Sequence, residues 1–155
     1  MPVQKLKACL DENGVKYTII QHSRAFTAQE IAELTHISGK ELAKTVMVMI
    51  AGEVAMAVIP ASDLVDFRCL SDVAGTSVEL ADEGDFVELF PNCDVGAMPP
   101  FGNLYNMSVY VSEALAEDEY IAFSAGSHAE VIRLEYADFA RLVNPILGRF
   151  SYRFP

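Results

Sequence analysis

Tryptophan is absent from the 155 residues, and cysteine and basic residues are scarce. Cys9, Cys69 and Cys93 are widely spaced and form no C-x-x-C pair, so neither a disulfide framework nor a structural zinc site is expected. Lys and Arg number 11 against 22 Asp and Glu, a formal charge of −11. This charge repels polyphosphate at long range, so any contact with nucleic acid should be small and local.

Long apolar runs are also missing. A transmembrane helix needs roughly 20 consecutive apolar residues, and the most apolar stretch, residues 45–59, is interrupted by Gly52 and Glu53. Residues 1–7 lack the apolar segment and the small-residue cleavage site of a signal peptide. We therefore expect a cytoplasmic protein with no membrane partner.

Hydrophobic residues make up 52% of the chain and charged residues 21%, which is typical of a packed globule and excludes intrinsic disorder. No repeat, Ser/Gly linker or block of like charge divides the sequence. A chain of this length forms one ordinary domain, so we expect a single domain over residues 1–155.

Short periodic segments predict the secondary structure. Helices are expected over residues 2–13, over 27–34 behind a Thr27–Glu30 capping box, from Ser62 or Asp63, from Asp82 or Asp85, and over 137–143. Strands are expected over residues 17–20, 44–50, 54–59, 77–80, 108–111, 120–124 and 131–135. The pair 44–50 and 54–59 is the strongest hairpin signal. Without regular βαβ alternation, this order indicates an α+β fold with a mixed, largely antiparallel sheet and flanking helices.

Lys44 precedes an otherwise apolar strand. A cation at the mouth of a buried strand can hold a phosphate or carboxylate, although lysines also snorkel from strand ends without a function. Residues 96–102, Gly-Ala-Met-Pro-Pro-Phe-Gly, form a second candidate. Prolines stiffen this loop and glycines permit close approach, so its backbone N–H groups can face a carbonyl or an oxyanion; a rigid turn is the alternative.

His128 follows a small-residue turn at residues 125–127. It can orient a water or hold a ribose hydroxyl, or it can be a surface imidazole. His22, His36 and His128 match no zinc spacing, so no metal is expected. Neither Ser127 nor Cys93 has the surroundings of a nucleophile, and the chain contains no P-loop or dinucleotide fingerprint, so no cofactor is expected.

Taken together, Ala43-Lys44-Thr45-Val46, residues 96–102, and Ala125-Gly126-Ser127-His128 before residues 131–134 resemble the YbaK/prolyl-tRNA synthetase-associated editing-domain family. The resemblance covers nearly the whole chain. It implies an α+β fold whose sheet curls around a small pocket. It also implies hydrolysis of the ester that joins an amino acid to the 3′-terminal ribose of tRNA, carried out by a free-standing deacylase.

The resemblance implies a role for four residues. Lys44 falls on the lysine expected to grip the terminal phosphate or ribose, and Gly96 and Pro100 fall on the G-x-x-x-P loop expected to hold the substrate carbonyl. His128 falls on a histidine of the alanine-editing branch, which favours alanine on tRNA for proline. Further candidate substrate contacts are Gly102 and Ser127, together with the candidate pocket walls Val46, Met98, Phe101 and Ile31, each of which could instead be core.

The expected partner is the acceptor end of aminoacyl-tRNA, met by a patch around Lys44 with Lys40 and Arg133. Help from a synthetase or an elongation factor would compensate for weak affinity. Two alternatives stay open: a non-catalytic module that binds a small ligand or a synthetase, and a hydrolase of another ester or thioester. Residues 149–155 receive no role.

Overall fold

The computed structural model describes residues 2–25, 27–91 and 93–153. The helices are α1 (Pro2–Glu12), α2 (Ala28–Thr35), α3 (Phe67–Ala74), α4 (Glu83–Phe86), α5 (Glu113–Ala116) and α6 (Tyr136–Val143), with 3-10 helices at Val87–Leu89 and Gly102–Leu104. The strands are β1 (Tyr17–Gln21), β2 (Ala43–Ile50), β3 (Glu53–Pro60), β4 (Asp63–Val65), β5 (Val78–Leu80), β6 (Val109–Ser112), β7 (Tyr120–Ser124), β8 (Glu130–Glu135), β9 (Ile146–Gly148) and β10 (Ser151–Arg153). None of these helices combines the length and apolarity needed to cross a membrane.

The strands form two sheets and a separate strand pair. The larger sheet has the order β5-β2-β3-β6-β9, and only its β3/β6 and β6/β9 neighbours are parallel. The smaller sheet, β1-β8-β7, is antiparallel throughout, and β10 pairs antiparallel with β4. The predicted α+β class with a mixed, largely antiparallel sheet is confirmed.

The β2/β3 hairpin is the centre of the larger sheet. Its turn places Ala51 at φ 52° and Gly52 at φ 81°, the two positive values that a two-residue hairpin turn requires. The pairing runs without a break from Ile50 opposite Glu53 to Ala43 opposite Pro60. The hairpin predicted from the sequence is therefore confirmed, and its register places Lys44 opposite Ile59.

Among the described residues, one backbone bridge links the two sheets. Leu42 forms an isolated parallel bridge with Ala122, and the Ala122 amide donates to the Glu41 carbonyl oxygen over 3.1 Å. Beyond this bridge β2 and β7 belong to different sheets. Lys44 and Ser124, each two residues further along its strand, therefore border a gap between the sheets.

Alternation along β3 divides the core between the two faces of the larger sheet. Met56 and Val58 pack into the main cluster, where Phe101 lies 5.5 Å from Phe123 and from Phe139, centroid to centroid. The alternate residues of β3, Ala55, Ala57 and Ile59, point to the opposite face and pack into a second cluster with Leu70, Tyr110 and Phe150. A third, smaller cluster joins α2 to the smaller sheet through Ile31, Leu42, Ala122 and Val131.

One predicted helix start is wrong. Residues 63–65 form β4 instead of a helical turn, because they pair with the C-terminal strand β10. Helix α3 begins after Asp66, whose Oδ1 accepts hydrogen bonds from the amides of Arg68 and Cys69 at 3.0 and 3.1 Å. By contrast, the Thr27 cap of α2 is confirmed, because its Oγ1 accepts from the Glu30 amide at 3.1 Å.

Candidate functional site

A narrow cavity of about 30 Å³ occupies the gap between the two sheets. We call it the Lys44 cavity. Its wall is formed by helix α2, the start of β2, the loop before Pro99 and Pro100, and the chain from the end of β7 to His128. The lining residues are Ala28, Ile31, Leu42, Ala43, Lys44, Thr45, Gly96, Met98, Ser124 and His128. Five residues predicted from the sequence thus lie together: Ile31, Lys44, Gly96, Met98 and His128.

Lys44 supplies the positive charge of this cavity. Burial lowers the pKa of its ammonium group, and the nearby carboxylate of Asp63 partly offsets that effect. Among the described residues, no carboxylate oxygen lies within 4.0 Å of the ammonium nitrogen. A cation held in a wall without an ion-pair partner is suited to an anionic or strongly polar group of a ligand.

The loop opposite Lys44 is shaped by Gly96. Its φ of +88° lies in the left-handed region, and a Cβ atom added there would lie 3.6 Å from Cε1 of His128. The loop is closed by a hydrogen bond from the Ala97 amide to the Asp94 carbonyl oxygen at 3.0 Å. Within the described part of the chain, the amides of Gly96 and Met98 donate no hydrogen bond, so two backbone donors remain on lining residues.

His128 is 7% exposed and is held by its ring and by its backbone. Its Nε2 lies 2.8 Å from the Val95 carbonyl oxygen, and since a carbonyl only accepts, Nε2 carries the hydrogen. Its backbone amide donates to Oδ2 of Asp94 at 3.1 Å. The imidazole therefore has a fixed orientation in the cavity wall.

The two loops around the cavity are bonded directly to each other. The Asp94 amide donates to the Gly126 carbonyl oxygen, and the Gly126 amide donates to the Ala97 carbonyl oxygen, both at 2.9 Å. With the two bonds of His128, these contacts hold the loop at 94–98 against the loop at 125–128 before any ligand arrives. Such a site costs little reorganisation on binding.

Asp94 is the residue that sequence reasoning missed. Its Oδ2 accepts from the amide of His128 and also lies 3.2 Å from Nη2 of Arg24. The segment of Arg24 is tied to the same loop, because the Ala25 amide donates to the His128 carbonyl oxygen at 3.1 Å. The only signal in the sequence was an acidic residue two positions before Gly96, which alone predicts nothing.

The structure does not place five predicted site residues in the cavity wall. Phe101 lies in the main core, Val46 packs against the second cluster, and Pro100 is buried. A Cβ on Gly102 would lie 2.5 Å from the Met107 carbonyl oxygen and from Val109, so this glycine is required by packing. Ser127 Oγ accepts from the Ala129 amide at 3.3 Å. A direct substrate contact by these five residues stays a prediction.

The predicted basic patch is smaller than expected. Nη2 of Arg133 lies 2.8 Å from Oε1 of Glu41, and its guanidinium carbon lies 4.2 Å from the centroid of the Tyr120 ring. Glu41 thus largely neutralises Arg133.

Burial raises the pKa of the Cys93 thiol, which makes it a poor nucleophile at neutral pH. Among residues 2–25, 27–91 and 93–153, no group of three or more His, Cys, Asp or Glu is placed to hold a metal.

Comparisons with known proteins agree on one family. The sequence model of the aminoacyl-tRNA editing domain matches residues 22–142. The chain is 27% identical over 154 residues to the multifunctional Ser/Thr-tRNA deacylase ProXp-y of Escherichia coli strain K12, covering 95% of this chain and 91% of that protein.

Two crystal structures show that the fold is shared. The hypothetical protein APE2540 superposes with a TM-score of 0.85 at 22% identity, covering 96% of this chain and 99% of that one. A candidate trans-editing enzyme for prolyl-tRNA synthetase superposes with a TM-score of 0.82 at 15% identity, covering 97% of each chain.

Proposed function

The chain belongs to the aminoacyl-tRNA editing domain family and is an aminoacyl-tRNA deacylase, and from this premise we propose that it clears alanine from tRNA for proline. It does so in trans, on tRNA that a synthetase has already charged and released. The observation that carries the proposal is the Lys44 cavity, where a cation, a glycine loop with unused amides and a fixed histidine face one small volume.

Lys44 is the proposed anchor of the tRNA end. Its ammonium group would bind the phosphate or the ribose of the terminal adenosine, which leaves the aminoacyl ester directed into the cavity. Charge-assisted hydrogen bonds of this kind are shorter and stronger than neutral ones. Binding energy from this contact positions the ester for reaction.

The proposed reaction needs neither a metal nor a side-chain nucleophile, because an aminoacyl ester is already activated. A water molecule, oriented beside the neighbouring ribose hydroxyl, attacks the carbonyl carbon and gives up one proton; the ester C–O bond then breaks, the departing ribose oxygen takes up a proton, and the free amino acid leaves. The amides of Gly96 and Met98 are the proposed donors to the oxyanion, a contribution of about 2.7–4 kcal/mol per donor in other enzymes. His128 orients the attacking group.

Size is the proposed basis of selectivity. A volume of about 30 Å³ holds a group of one or two heavy atoms. The methyl group of alanine fits this space, whereas the ring of proline does not. Because one methylene discriminates by only ~1–3 kcal/mol in a synthetase site, a second site that admits the smaller amino acid corrects the error.

Serine and threonine are the second candidate substrates. Thr45 and Ser124 are among the residues that line the cavity, and each carries a hydroxyl group. The E. coli relative is named a Ser/Thr-tRNA deacylase. Serine exceeds alanine by one oxygen atom, so the cavity would accept it with a hydrogen bond, and threonine would need a small outward movement of the wall.

The test is deacylation of tRNA for proline charged separately with alanine, serine, threonine, cysteine and proline, with and without chelator. Release of alanine with proline spared, at the same rate in chelator, supports the proposal. Faster release of serine or threonine transfers the assignment to the second candidate. Failure to release any of the five, while an alanine-editing enzyme is active in the same assay, contradicts the proposal and favours the non-catalytic binding module.

We also propose that the protein works in the cytoplasm with a synthetase or an elongation factor that delivers the tRNA. The charge of −11 weakens the encounter with free tRNA, and a delivering partner would relieve it. Adding prolyl-tRNA synthetase to the assay should lower KM if this holds. An unchanged KM at saturating synthetase would contradict that part.

A further inference from the structure

A second cavity adjoins the strand segment that carries Lys44. Its volume is about 120 Å³, and we call it the Arg153 cavity; its lining residues are Lys40, Pro60, Ser62, Asp63, Ala114 and Arg153. Pro60 pairs with Ala43, the neighbour of Lys44, and the Asp63 carboxylate is close enough to act on the Lys44 ammonium group. The Arg153 cavity therefore lies beside the segment of β2 and β3 that carries Lys44.

The C-terminal strand fixes Arg153 in this place. β10 pairs with β4 so that Arg153 lies opposite Asp63. Ser151 Oγ donates to Oδ2 of Asp63 at 2.9 Å and lies 2.7 Å from Oγ of Ser112. Phe150, 1% exposed, anchors the start of the strand in the second core cluster. Residues 150–153 are thus part of the fold, although no role could be assigned to them from the sequence.

The charged residues around the Arg153 cavity include several cations, although the whole chain is strongly acidic. Four arginines of the described part, Arg24, Arg133, Arg141 and Arg149, are within 4.0 Å of a carboxylate oxygen. Lys40, Lys44 and Arg153 have no such contact with a described residue; Lys44 and Arg153 lie near Asp63, and Lys40 lies between Asp63 on one side and Glu41, Asp118 and Glu119 on the other. In the lining of the Arg153 cavity itself, two cations stand against one carboxylate, whereas the whole chain carries a charge of −11.

We propose that the Arg153 cavity binds the phosphodiester of the nucleotide that precedes the terminal adenosine. The inference rests on the proposed function. With the ester in the Lys44 cavity and the terminal nucleotide at Lys44, the next phosphate meets the guanidinium of Arg153 and the ammonium of Lys40. The hydroxyl of Ser62 is a third donor, because its bond to the Gly39 carbonyl oxygen is long at 3.4 Å.

Asp63 is the one group in this cavity that repels phosphate, and its contacts reduce the repulsion. Its Oδ2 already accepts the hydroxyl of Ser151, and Lys44 lies nearby. A planar guanidinium binds phosphate with two parallel hydrogen bonds, so Arg153 supplies direction as well as charge.

The experiment compares two substrates in steady-state deacylation: full-length alanyl-tRNA for proline, and alanyl-adenosine, which carries no phosphate. The variants are Arg153→Ala, Lys40→Ala and the conservative Arg153→Lys. The matched control is Arg149→Ala, which removes the same charge from the same C-terminal segment at a 91% exposed side chain paired with Glu113.

We expect Arg153→Ala and Lys40→Ala each to raise KM for the tRNA about tenfold, the size of a lost hydrogen bond to a charged group, without changing KM for alanyl-adenosine. Arg153→Lys should recover part of the loss, and Arg149→Ala should behave as wild type. Equal KM values for Arg153→Ala and Arg149→Ala on tRNA, or an equal change on both substrates, would overturn the inference.

Binding without turnover separates this inference from the proposed function. The anisotropy of a fluorescent uncharged CCA trinucleotide, titrated with wild type and with Arg153→Ala, reports the phosphate contact alone. Weaker binding by Arg153→Ala supports the subsite even if alanine is not the amino acid released. Identical binding contradicts the subsite even if wild type is an active deacylase.

Discussion

Lys44 combines a half-buried position with a charge that no described carboxylate pairs. Because burial works against its charged form, the charge of this lysine does not stabilise the fold. We expect Lys44→Ala to lower kcat/KM by about 100-fold or more, the upper range for one charged contact, and to leave the melting temperature equal or higher. Turnover at the wild-type rate with an unchanged melting curve would remove Lys44 from the site.

The pH dependence of Lys44 gives a separate prediction. Its pKa in the folded state lies below the ordinary lysine value, so between the two values the unfolded chain binds more protons and stability rises with pH. Over the same interval the folded enzyme loses its cation, so KM for tRNA should begin to rise at a lower pH than an ordinary lysine would allow. Lys44→Arg should abolish that rise; if it does not, another group titrates.

Asp94 holds the backbone of His128 and the side chain of Arg24 with one oxygen atom. Removing it leaves a buried amide unsatisfied, at a cost of about 1–3 kcal/mol in the free energy of unfolding. The imidazole would also shift, so we expect Asp94→Ala to lower kcat by about 10- to 100-fold. The matched control is Asp138→Ala, which breaks an exposed pair with Arg141 at 3.3 Å and should cost about 0–1 kcal/mol with no loss of kcat. Comparable effects of the two substitutions on kcat would contradict the positioning role.

At the scale of elements, the loop at 94–98 depends on a left-handed residue at Gly96. Gly96→Ala combines backbone strain of about 1–2 kcal/mol with a new methyl group 3.6 Å from the His128 ring. Gly52→Ala is the matched control, because Gly52 has φ +81° and open space around its Cβ position. Both variants should melt earlier by a similar amount, and only Gly96→Ala should lose activity, by at least about tenfold. Equal activity would show that the loop does not contact the substrate.

The sequence predicted those elements that local signals control. The hairpin, the capped helix α2 and strand β7 follow from alternation and capping, and the structure confirms them. The strand at residues 63–65 could not be predicted, because it exists only through pairing with β10. The hydrogen bond from Ser151 to Asp63 between these two strands joins residues 88 positions apart in the sequence. The role of Asp94 could not be predicted either, because its hydrogen bond to the His128 amide joins residues 34 positions apart in the sequence.

The candidate site residues also fall into two groups, those that line the cavity and those that pack in the core. Lys44, Gly96 and His128 belong to short motifs, and the structure brings all three to one cavity. Phe101 and Gly102 belong to a motif too, yet their immediate role is in packing, because Phe101 lies in the main core and Gly102 has no room for a Cβ atom. A motif shows which residues recur together, and only the fold shows which of them reach the gap between the sheets.

At the scale of the whole molecule, the enzyme must bind a polyanion while carrying a charge of −11. Among the described residues, four of the eleven Lys and Arg pair with carboxylates, whereas Lys44 lines one cavity and Lys40 and Arg153 line the other. The fold thus presents a small positive area on a negative body, and only the single-stranded end of tRNA needs to approach it.

Salt dependence measures the size of that area. Each single-stranded phosphate contact gives a slope of about −0.7 in a plot of log affinity against log salt, so two phosphates, one at Lys44 and one shared by Arg153 and Lys40, predict a slope of about −1.4 for kcat/KM on alanyl-tRNA. Alanyl-adenosine, which has no phosphate, should give a slope near zero. The Lys40→Ala/Arg153→Ala double variant should retain only the contact of Lys44, with a slope of about −0.7. A steep slope that persists in the double variant would mean that tRNA is bound across a wide surface elsewhere on the molecule.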